Sequence, residues 1–137
     1  MWRRPFIIVL CAFTLAPCLA QDTYQQEADR LAALLNWQSG GVVAEIGAGD
    51  GQMTLVAAER VGTAGRVYTT ELDQKKLAHL EELAGKQKNI TTTKAAEGET
   101  NLPPKCCDSI FMRLVYHHLT KPAEIDASLF RSLKCWP

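Results

Sequence analysis

At 137 residues the chain has room for one domain and hardly for two. Basic and acidic residues number 15 each, leaving no net charge, and no basic block interrupts the sequence, which argues against a nucleic-acid surface. Apolar residues make up 47% and charged residues 22%, the balance of a globular protein rather than a disordered one.

Residues 1–20 stand apart from that globule. Trp2-Arg3-Arg4 gives a positive start, Phe6 to Ala16 a hydrophobic run broken only by Thr14, and Pro17-Cys18-Leu19-Ala20 a small-x-small exit. This reads as a secretory signal peptide. The run is shorter than the ~20 apolar residues of a membrane-spanning helix, which favours cleavage after Ala20 over permanent anchoring. The expected location is therefore exported, periplasmic or secreted, with no stable membrane insertion after cleavage and a membrane anchor if the signal stays. Pro17 before Cys18 speaks against a lipoprotein site.

From Asp22 to Trp37 the apolar residues Ala28, Leu31, Leu34 and Leu35 recur at helical spacing, with Asp22 or Thr23 available to cap the start and Ser39-Gly40-Gly41 to end the helix. Val42, Val43, Ala44 and Ile46 then form a short, β-branched apolar run, too short for a helix and suited to a buried parallel strand. It stops at Gly47, Gly49 and Gly51, after which Gln52 to Val61 has the composition of a helix. Such a strand, glycine turn and helix let the backbone approach a ligand while the free amides at the helix start offer donors. A dinucleotide turn would place a small residue where Gln52 stands, and Glu45 would set like charges beside a pyrophosphate. The acid suits a cationic ligand instead.

At this point the chain resembles the class I methyltransferases that use S-adenosylmethionine, whose first motif is an acidic residue, any residue, then Gly-x-Gly-x-Gly. Glu45-Ile46-Gly47-Ala48-Gly49-Asp50-Gly51 matches it at every defined position. The resemblance implies S-adenosyl-L-methionine as cofactor and Glu45, Gly47, Ala48, Gly49 and Gly51 as residues around it. It also makes the preceding helix one that helps to close over the cofactor.

Gly62-Thr63-Ala64-Gly65 breaks the second helix, and Arg66 to Thr70 forms a second strand ending in Glu71. Strand, helix and strand imply parallel pairing with a right-handed crossover, so Glu71 reaches the same carboxyl edge as the glycine turn. A carboxylate there can accept both hydroxyls of a ribose, the role that the resemblance assigns to Glu71. Asp73 competes for it, but its place before Leu77, Leu80 and Leu83 marks a helix cap. Ile90 to Lys94 reads as a threonine-rich edge strand. In Ala95-Ala96-Glu97-Gly98-Glu99, where the family contacts adenine, Glu97 is chosen over Glu99.

After the Leu102-Pro103-Pro104 turn, Asp108 to Arg113 begins a fourth strand. The stretch LPPKCCDSIFMRLVYHHL is similar to the matching segment of small-molecule methyltransferases of the ubiquinone-biosynthesis type. His117 or His118 sits where substrate would enter, although a structural corner histidine competes with that role. Zinc is set aside, because adjacent histidines point apart and Cys106-Cys107 lacks a knuckle gap. Vicinal cysteines seldom bridge each other, so either of them with Cys135 is the ordinary disulfide, and small buried residues describe the three better.

Pro122 to Leu133 reads as a last helix, with Ile125, Leu129 and Leu133 on one stripe. In the family a Lys-Pro-Gly-Gly-like turn and more strands follow. The resemblance thus implies a Rossmann-like, doubly wound parallel α/β sheet, incomplete at about four of seven strands, in the family's order third, second, first, fourth. Residues 21–137 would be the cofactor-binding half of a methyltransferase domain, with the fourth strand as an open edge through which copies could self-associate. The implied activity is methyl transfer to a small-molecule acceptor by direct displacement, which needs no protein nucleophile, triad or metal. A catalytically inactive cofactor-binding module and an NAD-type oxidoreductase are the competing classes.

Overall fold

A computed structural model describes residues 16–135 of the chain. Its elements in order are α1 (Ala16–Leu35), β1 (Val42–Ile46), α2 (Gln52–Val61), β2 (Arg66–Glu71), α3 (Gln74–Lys86), β3 (Ile90–Lys94), β4 (Ser109–Met112), a 3-10 turn at Tyr116–His118, and α4 (Pro122–Ser132). All strand pairings are parallel, in the order β3-β2-β1-β4, as expected from the sequence. Ile46 stands beside Thr70 of β2 and Met112 of β4, so the ends of three strands emerge together.

Alternation along the strands sorts their side chains onto two faces. Val43, Val67, Ile90 and Phe111 form a buried core with Ala28 of α1 and Met53, Val56, Ala57 and Val61 of α2. On the other face Ala44 and Ile46 meet Leu102 and Cys107, with Ile110, Met112 and Leu129 of α4 packed against them. Helices therefore cover both faces, the doubly wound arrangement. The β4 edge pairs only with β1 among the described strands. Ile110 and Met112 are half-buried, and Leu114 just beyond them is 80% exposed.

Asn89 ties the first crossover together. Its buried amide donates to the Ala58 and Gly62 carbonyls, at 2.9 and 2.8 Å, as a second donor to each beside the Gly62 and Gly65 amides.

Two expectations are corrected. The first helix does not start at Asp22 or Thr23: α1 begins at Ala16, and both residues lie inside it. No helix breaker stands between Pro17 and the αL residue Asn36 (φ 52), so the helix runs unbroken through Asp22 and Thr23. The position after Ala20, where cleavage was expected, falls within a continuous helix, while the positive start and most of the apolar run, residues 1–15, lie outside the described residues. Among the described residues no helix is long and apolar enough to cross a membrane. Second, the structure joins Cys106 to Cys107 and leaves Cys135 free and exposed. Lys105 (φ 51) turns the chain before the pair, and backbone bonds from Cys107 to Ser132 and from Lys134 to Cys107 then hold it against the end of α4.

Candidate functional site

A cavity of about 580 Å³ opens at the carboxyl edge of the sheet. Ile46, Gly47 and Gly49 contribute from β1, Glu71 from β2, Ala95 to Glu97 from the end of β3, and Arg113 to Val115 from the end of β4. Parallel strands with shared ends create this crevice, since each loop leaving the sheet on that side contributes a wall.

The three glycines of the turn have left-handed backbones, with φ of 68, 61 and 77° at Gly47, Gly49 and Gly51. Their surroundings differ. A Cβ on Gly51 would come within 2.7 Å of Leu83 and 2.8 Å of Leu80, so this position lets α3 pack on the turn, and it caps α2 rather than lining the cavity. Gly47 is crowded by Val115. At Gly49 a Cβ would meet nothing within 4 Å, although the backbone is part of the cavity wall. Open space over a bare backbone is what a closely approaching ligand requires. Ala48 is buried beneath the turn, its amide bonded to the Thr70 carbonyl at 3.0 Å.

Glu71 is 8% exposed and lies in the cavity wall. Its Oε2 accepts from the Gly49 amide at 3.0 Å, and its Oε1 from the Leu72 and Asp73 amides at 2.8 and 3.2 Å. An ionised carboxylate has about four acceptor positions, so capacity for a ligand hydroxyl remains. Asp73 instead accepts from the Lys75 and Lys76 amides at 3.0 and 2.9 Å as the cap of α3, the division of roles expected from the sequence. Those bonds, led by the one from Lys76, hold its carboxyl below the usual value.

Glu97 lines the cavity, whereas Glu99 turns away to Ser128 and Arg131 of α4. His118 is also in the wall; His117 is not, and the two exposed rings lie 3.9 Å apart. No group of three or more histidines, cysteines or acids that could hold a metal occurs among the described residues.

Glu45 is not in the wall. It is 2% exposed, on the α2 face of β1, where it accepts a hydrogen bond from Thr54 Oγ1 at 2.6 Å. Thr54 also lies 3.2 Å from Thr69, so α2, β1 and β2 share one polar cluster under the glycine turn. Arg113 went unassigned in the sequence, yet it joins the cavity to α1: its Nε donates to Glu27 at 2.8 Å and its guanidinium lies 5.0 Å from the Tyr24 ring centre. A lone cation at the end of an apolar strand was the available signal.

Burial pushes the Glu45 carboxyl from 4.5 up to about 7, against the Thr54 hydrogen bond. Between those values the folded protein keeps a proton that the unfolded chain has released. The stability this group contributes is fully present below about pH 4.5 and is lost as pH rises through about 7. Glu45→Gln removes that titration. Relative to wild type, the variant should gain on the order of 3 kcal/mol between the two ends of the window, measured by chemical denaturation across it. Parallel stability curves would show that Glu45 is ionised throughout.

The comparisons fit this geometry. The family model described as a methyltransferase domain matches residues 44–135, from the middle of β1 to the last described residue. The chain is similar to a SAM-dependent methyltransferase from Aquifex aeolicus, at 22% identity and a TM-score of 0.72, over 83% of this chain and 67% of that one. It is similar also to a SAM-dependent O-methyltransferase from Thermotoga maritima, at 20% identity and a TM-score of 0.63, over 80% of this chain and 40% of that one. A third similar structure is an arsenic(III) S-adenosylmethionine methyltransferase from Chlamydomonas reinhardtii, at 21% and 0.63, over 72% of this chain and 36% of that one. No curated protein matches. The chain thus spans between about a third and two thirds of the length of these structures, and at such identities they speak for the fold alone. The family match covers more than half of the sequence and the sheet from the middle of β1 onward, and on it the chain belongs to the methyltransferase-domain family, the S-adenosylmethionine-dependent class that its glycine turn resembles.

Proposed function

We propose that this chain is an S-adenosylmethionine-dependent methyltransferase acting on a small-molecule acceptor, with the cofactor in the carboxyl-edge cavity. The observation that carries the proposal is the meeting of Gly49's open backbone with the Glu71 carboxylate in one wall. The residues fit the group: a bare backbone admits close approach, a buried acceptor suits ribose hydroxyls, and Glu97 stands at the β3 side for the base. S-adenosylmethionine supplies a methyl group on a sulfonium, ready for direct displacement. The chain's own part is to bind and align, and to hold water back with the apolar Ile46, Leu114 and Val115. Glu45, outside the wall, supports the turn from beneath and favours a cationic ligand once ionised.

Export of this activity from the cytoplasm belongs to the same reading, supported by the signal-like pattern of residues 1–20. Self-association through the outer edge of β4 belongs to it as well, since that strand pairs on one side only among those described. Sedimentation of the purified chain over a concentration series tests this; a monomer at every concentration would remove the edge from the account.

Calorimetric titration with S-adenosylhomocysteine tests the cofactor site. Wild type should bind. Gly49→Val should abolish binding, because its side chain fills the open space and a β-branched residue resists φ of 61°. A folded valine variant that binds equally well would put the ligand elsewhere. Glu71→Ala should weaken binding by roughly tenfold or more, while Asp73→Ala should mainly cost helix stability. Equal losses of affinity from the two would reverse that division of roles.

A further inference from the structure

The cavity wall holds one arginine, at the end of β4, across β1 from the acids of the β2 and β3 ends. Its position is set by α1 rather than by its own loop. Glu27 takes the Nε hydrogen at 2.8 Å, and the Tyr24 ring stands 5.0 Å from the guanidinium carbon. These two contacts fix the plane of the group, and the side chain is 26% exposed. The hydrogen bond it donates to Glu27 holds Arg113 more firmly protonated than an ordinary arginine. With Nε committed, both terminal Nη groups are without a partner among the described residues. Four N–H donors in a fixed fork, partly desolvated beside a glycine turn, match a planar carboxylate. The other basic side chains of the wall offer no such match. Lys76 stands on α3 at the acid end, and His118 is exposed and stacked on His117.

We propose that Arg113 reads the carboxylate of the cofactor's amino-acid tail through its two Nη groups, with Glu27 and Tyr24 as the residues that position the fork. This rests on the cofactor reading above. It gives the ligand a polarity across the sheet, with the nucleoside over β2 and β3 and the anionic end over β4. It also makes α1 part of the binding site, because the helix orients a residue that it does not carry.

The test compares two ligands that differ in this tail: S-adenosylhomocysteine, and 5′-methylthioadenosine, which keeps the nucleoside and the thioether but has no carboxylate. Calorimetry on the full chain should show Arg113→Met losing about tenfold or more for S-adenosylhomocysteine, with affinity for 5′-methylthioadenosine unchanged within about twofold. Arg113→Lys should fall between, as a point charge replaces the fork. Glu27→Gln, which leaves the fork in place, should cost less than Arg113→Met. Equal weakening of both ligands by Arg113→Met would overturn the proposal and make the residue a latch for α1. An unchanged affinity for S-adenosylhomocysteine would overturn it by placing the carboxylate elsewhere. Wild-type protein that binds neither ligand would overturn the cofactor reading itself, and this assignment with it.

Discussion

Three backbone amides from two loops converge on the Glu71 carboxylate, and the candidate site depends on that convergence. Gly49 belongs to the turn that leaves β1, and Leu72 and Asp73 to the one that leaves β2. A carboxylate that is 8% exposed must have partners, because an unpaired buried charge is costly. The amides that satisfy it are those that start the paths into α2 and α3. Parallel pairing of β1 with β2 brings both loops to one edge, where a single acceptor can serve them. Loop geometry and ligand recognition therefore rest on the same side chain, and the Asp73 cap continues the pattern by taking the Lys75 and Lys76 amides in the first turn of α3.

Charge is arranged around this centre in two layers. Glu71 and Glu97 face the cavity, whereas Glu45 lies under the floor with Thr54 and Thr69. A buried carboxyl beneath a site for a sulfonium costs stability when ionised and repays part of it when the cation arrives. Arg113 stands on the opposite side, held by a helix that precedes it by 86 residues in the hydrogen bond to Glu27. The site is therefore asymmetric across the sheet, acidic toward β3 and basic toward β4.

Local signals were legible in the sequence wherever the backbone itself sets a demand. Three glycines with positive φ, an aspartate before a leucine-spaced helix, and short β-branched runs each answer a constraint confined to a few residues. From them the parallel pairing of the first two strands and the placement of Glu71 followed, whereas the full strand order came from the family resemblance. Contacts between distant residues were not legible, because no spacing links Thr54 to Glu45 or Arg113 to Glu27. Glu97 and Glu99 look alike as letters; only the position of α4, with Ser128 and Arg131, turns Glu99 away from the cavity. The start of α1 was misplaced for a different reason: residues 16–20 were read as the end of a signal pattern and left out of the helix, although their backbone continues it.

The most direct measurement of the central claim is a crystal structure of the chain grown with S-adenosylhomocysteine. The account predicts the ligand along the carboxyl edge of β1 and β2, in contact with the backbone of Gly49 and with its ribose hydroxyls on Glu71. Ligand density on any other surface, or a nucleoside in the cavity that leaves the Glu71 carboxylate untouched, would contradict it.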